Sequence, residues 1–142
     1  LTKKKIIPYI DLKYSTELAL GVYWSQLDLL QKKIFERDIK NSLMNEYVGI
    51  LSDLTIWKDI KIFIDDDFIQ DGNLARVKAS ISLENESSNT SVTLKLIRKN
   101  RWKIYDLEYQ SISIIDIEKM GFNSKIKRQG IEKLIQKMLE SS

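Results

Sequence analysis

The chain has 142 residues, of which 43% are hydrophobic, and a formal net charge of +3. This length is typical of one domain that buries roughly two thirds of the surface of its unfolded chain. The absence of cysteine and histidine excludes disulfides, thiolate chemistry, most hydrolytic triads and most zinc sites. No apolar run approaches the ~18 residues of a membrane span, and the mild charge does not indicate a nucleic-acid-binding surface.

The N-terminal part of the chain is predicted to be helical. Residues 1–7 hold neither an initiator Met nor a leader of the usual pattern, so we expect the chain to begin inside a structural element. Pro8 ends any helix that precedes it, and Asp11 is placed to cap a helix over residues 12–22. A long helix is predicted from about Ser25 to Leu54, which corresponds to about 40 Å.

Apolar residues of this long helix recur at the three-and-four spacing of a single stripe. We interpret the stripe as ordinary core packing, with contact to lipid or to a partner as the alternative for part of it. Its members are Leu27, Leu30, Ile34, Phe35, Ile39, Leu43, Tyr47, Ile50, Leu51 and Leu54.

The middle of the chain is predicted to form four antiparallel strands. Apolar and polar residues alternate over residues 60–64, 75–83 and 92–96, as in strands with one buried face. Asp71-Gly72-Asn73 is a hairpin turn signal between the first two of these strands. The longest run of β-forming residues, Trp102 to Ile115, is predicted to be the central strand.

Two more helices are predicted after the sheet. The first, from about Asp116 to Arg128, is weakened by Gly121 and ended by Gly130. The last, from Ile131 to Leu139, carries its apolar residues on one face. The predicted fold class is α+β, with a four-stranded antiparallel sheet packed with helices.

Two small residues lie on the apolar face of the strand over residues 75–83. Ala75 and Ala79 occupy positions where a packed sheet usually has larger β-branched side chains. Small side chains under a helix leave room for a ligand cavity. In the alternative interpretation, a bulky neighbour such as Trp102 or Tyr105 fills that room.

The acidic triplet Asp65-Asp66-Asp67 is interpreted as a solvated strand end. A calcium-binding hand loop would need a ligand where Ile69 stands, so the pattern fails. We therefore predict no metal site.

Several segments, in order along nearly the whole chain, resemble the MlaC family. None of these segments is a specific motif by itself, but their shared order along the chain is fairly specific. They are Ile7-Pro8-Tyr9-Ile10-Asp11, Ala19-Leu20-Gly21-Val22-Tyr23-Trp24, Gln31 and Phe35, Leu43 and Tyr47, Trp102-Lys103-Ile104-Tyr105-Asp106-Leu107, Ser113, Phe122 and Gly130-Ile131-Glu132-Lys133-Leu134-Ile135.

This resemblance implies a periplasmic phospholipid carrier with a fold similar to nuclear transport factor 2. Such a carrier is the soluble auxiliary component of an ABC transporter that maintains outer-membrane lipid asymmetry. It buries acyl chains between sheet and helices, and it shuttles glycerophospholipid between an outer-membrane lipoprotein and an inner-membrane substrate-binding ring. The implied chain is a monomeric non-enzyme that makes transient contact with these membrane complexes and has no cofactor and no nucleic-acid partner.

The chain also departs from the family pattern. We expect residues 1–142 to form a single phospholipid-binding domain that lacks a further N-terminal helix found in family members. Ser111 stands at a position where the family usually has Gly, and Gly121 at a position where the family usually has another residue. Family members also usually have an Arg near the position of Lys119.

The predicted lipid-binding residues come from the apolar faces of the strands and from the long helix opposite. They are Phe35, Ile39, Leu43, Val77, Ala79, Ile81, Leu83, Val92, Leu94, Leu96, Tyr105, Leu107 and Tyr109. The sequence leaves open which alternating residues of the last strand face the cavity, so Ile104 could replace Tyr105. Lys119, Lys125, Lys127 and Arg128 are predicted to bind partners.

Two other functions stay open at this point. Similar cone-shaped folds also host isomerases and dehydratases, for which Asp106 and Glu108 are the candidate carboxylates. The chain could instead be a docking module whose basic C-terminal surface, extended by Lys133 and Lys137, binds an acidic partner. A solvated helix face is the alternative interpretation of those cations.

Overall fold

A computed structural model describes residues 7–55, 60–64, 68–83 and 89–141. Within these ranges only the backbone is described at residues 48, 50–55, 60–64, 81–83 and 89–90. The helices are α1 (Leu12–Leu20), α2 (Leu29–Thr55), α3 (Ile114–Gln129) and α4 (Ile131–Glu140), with 3-10 turns at Ile7–Tyr9 and Gly21–Gln26. The strands are β1 (Ile60–Ile64), β2 (Ile69–Asp71), β3 (Leu74–Leu83), β4 (Asn89–Arg98), β5 (Trp102–Tyr109) and β6 (Ile112–Ser113).

The start of α1 is confirmed and its end is corrected. The backbone N–H of Tyr14 donates to Asp11 Oδ1 at 3.0 Å, which is the predicted cap. The α-helix stops at Leu20 because Gly21 takes a φ of +56°, and the chain continues as a 3-10 helix rather than to residue 22.

The long helix α2 begins at Leu29, four residues after the predicted start. Asp28 and Gln31 form a reciprocal capping box, with N–H···O distances of 3.0 and 2.8 Å. Leu30, in the first turn of α2, is 71% exposed and does not belong to the buried stripe. The stripe residues Ile50, Leu51 and Leu54 have side chains outside the described set.

The predicted strand from Trp102 to Ile115 is shorter than expected. β5 ends at Tyr109, and a two-residue turn at Gln110 and Ser111 leads into β6. Both turn residues have positive φ, 53° and 65°. α3 then starts at Ile114 instead of Asp116.

The sheet is antiparallel in the order β1-β3-β4-β5-β6. β1 and β2 both pair with β3, β1 along residues 79–83 and β2 along residues 74–76. The α+β class is confirmed, but over the described residues the sheet has six strands rather than four. The two additional strands are short, with three residues in β2 and two in β6. The predicted hairpin turn at Asp71-Gly72-Asn73 is present, with Asp71 opposite Leu74. The acidic triplet at residues 65–67 lies outside the described residues.

The buried core gathers mainly on the helices. It combines α1, the stripe of α2, and the inner faces of α3 and α4. Ile104 and Leu107 of β5 pack against it from the sheet. Its members are Ile10, Ala19, Leu20, Leu27, Ile34, Phe35, Ile39, Leu43, Met44, Tyr47, Ile114, Ile115, Phe122, Ile126, Leu134, Ile135 and Met138. None of the helices, over the residues described, combines the length and apolarity that crossing a membrane requires.

Candidate functional site

The apolar residues of β3, β4 and β5 share one face of the sheet. Val77 lies opposite Leu94, which lies opposite Leu107, so one row of apolar residues crosses three strands. The neighbouring rows follow the same register, since side chains two residues apart on a strand point to the same side. They are Ala75 with Leu96 and Ile104, and Ala79 with Val92 and Tyr109.

A β-bulge at Tyr105 resolves the open parity of β5. Lys95 pairs with Asp106 but Leu96 pairs with Ile104, so Tyr105 is the additional residue. Ile104 therefore takes the position opposite Leu96 that alternation had given to Tyr105. The Tyr105 carbonyl accepts a hydrogen bond from Ser15 Oγ at 2.7 Å, and its ring packs edge-to-face on Tyr14 at 5.0 Å.

Part of the apolar sheet face lies outside the packed core. Val77, Ala79, Leu94 and Leu96 are only partly buried. Among the described side chains they neither belong to the helical core nor pack against it. A partly exposed apolar surface that spans neighbouring strands can accept an apolar ligand.

The predicted helix residues lie in the helical core. Phe35, Ile39 and Leu43 are each 0% exposed. The Phe35 ring packs edge-to-face on Phe122 of α3, with ring centroids 5.5 Å apart. In this structure they are packed core, so their contact with lipid stays a prediction.

The other predicted lipid-binding residues are placed unevenly. Val92 is buried, Leu107 and Tyr109 are partly buried, and the side chains of Ile81 and Leu83 are outside the described set.

A cavity of about 300 Å³ lies at the end of β5, between α2 and the start of α3. Ile112 and Ile117 on its rim are 56% and 55% exposed. The predicted site contained only Tyr109 of this group, and the sequence placed Gln110, Ile112 and Ile114 in the same strand as Tyr109 rather than in a turn, a short strand and a helix start. The lining residues are Glu46, Gly49, Tyr109, Gln110, Ile112, Ile114 and Ile117.

Asp106 is a structural hydrogen-bond acceptor that joins β5 to α3. Its Oδ1 accepts from the backbone N–H groups of Leu107 at 2.8 Å and Ile115 at 3.1 Å. Its Oδ2 accepts from Ser113 Oγ at 2.5 Å and lies 3.2 Å from Lys95 Nζ. Both oxygens of this 2%-exposed carboxylate are therefore occupied, which leaves little scope for proton transfer.

The second candidate carboxylate, Glu108, lies in a row of charges on the other sheet face. It pairs with Lys95 at 3.0 Å and with Arg76 at 3.1 Å. Burial lowers the pKa of Lys95, but hydrogen bonds to Glu108 and Asp106 outweigh burial and raise that pKa. Over the described residues, no group of three or more acidic side chains is placed to hold a metal ion.

The four predicted partner-binding cations do not form one surface. All are exposed on α3, but at 3.6 residues per turn their positions point to different sides of the helix. Lys125 and Arg128 line one cleft with Asp38 and Lys137. Lys119 lies near Gly21, where an added Cβ would approach its side chain to 3.3 Å.

The family model of the MlaC protein matches residues 1–140 of this chain. The chain belongs to the MlaC family. The resemblance stated from the sequence is thereby confirmed.

Two relatives of this MlaC-family chain add detail. It is 23% identical over 146 residues to the intermembrane phospholipid transport system binding protein MlaC of Haemophilus influenzae, covering 100% of this chain and 67% of that protein. It also matches the structure of a phospholipid-binding protein from Ralstonia solanacearum in complex with a phospholipid, with a TM-score of 0.77 and 24% identity. That match covers 96% of this chain and 75% of the other, and it shows that the two share a fold.

Proposed function

We propose that this chain is a phospholipid carrier that holds acyl chains against the apolar face of its sheet. The observation that carries the proposal is the group of partly buried side chains on this face, Val77, Ala79, Leu94 and Leu96, which lie outside the described core. Family membership supports it, since the relative from Haemophilus influenzae is named for intermembrane phospholipid transport. The structural match from Ralstonia solanacearum holds a phospholipid.

A carrier of this kind needs no catalytic group. Burying each methylene of an acyl chain is worth about 0.8 kcal/mol, so an apolar slot can retain lipid by burial alone. The absence of His and Cys removes nothing that such binding requires. The hydrogen bonds at Asp106 also leave the isomerase or dehydratase alternative without its best candidate base. The proposed carrier is therefore not an enzyme and has no cofactor.

We further propose the setting in which the carrier works. It would act in the periplasm as the auxiliary component of an ABC transport system that maintains outer-membrane lipid asymmetry. It would exchange lipid, as a monomer, with an outer-membrane lipoprotein and an inner-membrane substrate-binding ring. The family match and the name of the Haemophilus influenzae relative support this setting.

The test fills the proposed slot and leaves the opposite face as a control. Val77 and Lys78 are adjacent on β3 and, by alternation, lie on opposite faces of the sheet. Val77→Trp places a large ring over the apolar row, whereas Lys78→Trp places the same ring on the other face. Native mass spectrometry of gently purified protein should find phospholipid on the parent chain and on Lys78→Trp, and little on Val77→Trp.

Circular dichroism should show both variants folded. A parent chain that carries no phospholipid, and takes up none from vesicles, would refute the carrier function. Equal phospholipid occupancy in both variants would show that the lipid does not bind this face of the sheet.

A further inference from the structure

The turn between β4 and β5 carries more positive charge than a hairpin turn requires. Residues 98–103 hold four cations, Arg98, Lys99, Arg101 and Lys103, and no acidic residue. Turns are formed by residues such as Gly, Asn and Asp, which adopt the required backbone angles or bond to the nearby backbone. Like charges that lie close together in a hairpin repel each other. The fold alone therefore does not require this concentration of charge.

Three of these cations line one cleft. Its volume is about 350 Å³, and Lys99, Arg101 and Lys103 lie on its wall with one carboxylate, Asp11. Both oxygens of Asp11 are already engaged. Oδ1 accepts from the backbone N–H of Tyr14 at 3.0 Å, and Oδ2 lies 3.1 Å from Lys99 Nζ. Three cations and one carboxylate leave the described wall of the cleft with a net charge of +2.

Contacts within the chain hold two of the cations at the cleft. Arg101 Nη2 donates to the Pro8 carbonyl at 2.9 Å. The Lys99 ammonium, besides its ion pair, lies 5.7 Å from the centre of the Tyr14 ring. These contacts leave further N–H donors of both side chains free, since a guanidinium has five and an ammonium three. Side chains that are fixed in advance lose less entropy when a ligand binds, so the cleft is partly organised for one.

Lys103 is the cation of the cleft that lacks an opposite charge. It is partly buried on β5, and within the described residues it has neither an ion pair nor a side-chain hydrogen bond. Lys95, which is also partly buried, pairs with both Asp106 and Glu108. A cation that loses part of its hydration is stabilised by an anionic partner. The cleft therefore offers an anion a charge that the described chain does not neutralise.

The set of donors fits a phosphate group better than a carboxylate. A phosphate presents at least three acceptor oxygens in different directions, whereas a carboxylate presents two in one plane. Cations on three side chains, one of them an Arg that can form paired hydrogen bonds, can contact different oxygens of one phosphate. The net charge of the cleft also complements the charge of about −1.5 to −2 that a phosphate monoester carries at pH 7.

We propose that the cleft at the β4–β5 turn binds a phosphate group through Lys99, Arg101 and Lys103. The group belongs either to a phospholipid at a membrane surface or to a soluble phosphate ester, which present the same oxygens. The cleft lies at the start of β5, whereas the cavity of about 300 Å³ lies at the other end of that strand. Six residues separate Lys103 from Tyr109, which corresponds to about 20 Å. The phosphate site is thus separate from the proposed acyl-chain slot and does not depend on the carrier function.

The experiment removes two cations from the cleft and two from elsewhere. Arg101→Gln with Lys103→Gln alters the cleft, and Lys33→Gln with Arg37→Gln removes the same two charges from the exposed surface of α2. Sedimentation with phosphatidylglycerol vesicles tests a lipid headgroup, and titration with glycerol phosphate, followed by NMR chemical shifts, tests a soluble ester. The cleft variant should bind the vesicles roughly thirtyfold more weakly than the parent, the factor for two cations near an anionic surface. The α2 variant should stay close to the parent.

The two probes identify the source of the phosphate. Weakened binding of the vesicles alone would assign the cleft to a lipid headgroup, and weakened binding of glycerol phosphate as well would assign it to phosphate esters in general. Circular dichroism checks folding, because Arg101 also bonds to Pro8. Lys103→Gln alone removes no contact within the described chain and should still weaken vesicle binding about fivefold.

Other results overturn the proposal. Equal weakening in the cleft and α2 variants would show general attraction between charges. A parent chain that binds neither probe, or a cleft variant that binds both as the parent does, would show that no phosphate is held. Equally tight binding of polyglutamate would show a surface for acidic proteins instead. Loss of the carried phospholipid in the cleft variant, measured by native mass spectrometry, would show that the cleft is not a separate site.

Discussion

Replacing Asp106 by Asn tests whether one buried carboxylate holds the sheet to α3. Asp106 accepts hydrogen bonds from Leu107, Ile115 and Ser113 and pairs with Lys95. The amide keeps one acceptor oxygen, so it can serve the two backbone N–H groups. Its NH₂ group must then face the Lys95 ammonium, which loses a buried charged partner. Losing one charge-assisted hydrogen bond and this ion pair should lower the free energy of unfolding by about 2–4 kcal/mol.

Glu108→Gln is the matched control, because Glu108 is on the same strand and pairs with the same Lys95. Its ion pairs to Lys95 and Arg76 are more exposed, and such pairs contribute at most about 1 kcal/mol. Urea denaturation at neutral pH, followed by circular dichroism, measures both variants. The reasoning fails if Asp106→Asn loses less than about 1 kcal/mol, or no more than Glu108→Gln does.

Three further predictions concern a turn, a titrating side chain and a cleft. Ser111→Gly should raise the free energy of unfolding by about 1 kcal/mol, because Ser111 has a φ of 65° that glycine adopts without strain; an unchanged urea midpoint would contradict this. Burial raises the pKa of Glu118 above 4.5 despite its hydrogen bond from Ser42. The charged carboxylate therefore lowers the stability of the folded chain at pH 7, and this loss of stability disappears as the pH falls through the raised pKa. Glu118→Gln should accordingly be more stable than the parent chain at pH 7 and lose this advantage at pH 4 in matched denaturation curves. Replacing both Lys125 and Arg128 by Glu should weaken capture of partner complexes and leave phospholipid occupancy unchanged. Loss of bound lipid in this variant would count against a separate docking surface.

Features set by neighbouring residues could be predicted from the sequence. The cap at Asp11 depends on a hydrogen bond to Tyr14, three residues away, and the sequence pattern contains both. The alternation over residues 75–83 predicted a strand with one apolar face, and the register to β4 places that face as expected. The hairpin turn at Gly72 was predicted because glycine tolerates its φ of 59°.

Features set by distant contacts could not be predicted. The bulge at Tyr105 depends on Ser15, ninety positions away in the chain, whose hydroxyl binds the displaced carbonyl. The end of β5 was missed because Gln110 and Ser111 take positive φ without a glycine to signal it. Leu30 was assigned to the buried stripe from its spacing alone, but in the first turn of the helix it is 71% exposed, and spacing does not show where along a helix the packing partners end.

The position of Val77, Ala79, Leu94 and Leu96 outside the packed core explains how such a chain exchanges its ligand. Phe35, Phe122 and the other core residues pack among the helices, so the fold does not depend on whether the row at Val77 and Leu94 is covered. Lipid that binds only the folded chain would stabilise it by mass action, by about 2.7 kcal/mol at a hundred times Kd. Because that energy comes from covering partly exposed side chains, release would return the face to its lipid-free state without opening the core. A carrier built in this way can load and unload while its helices stay packed.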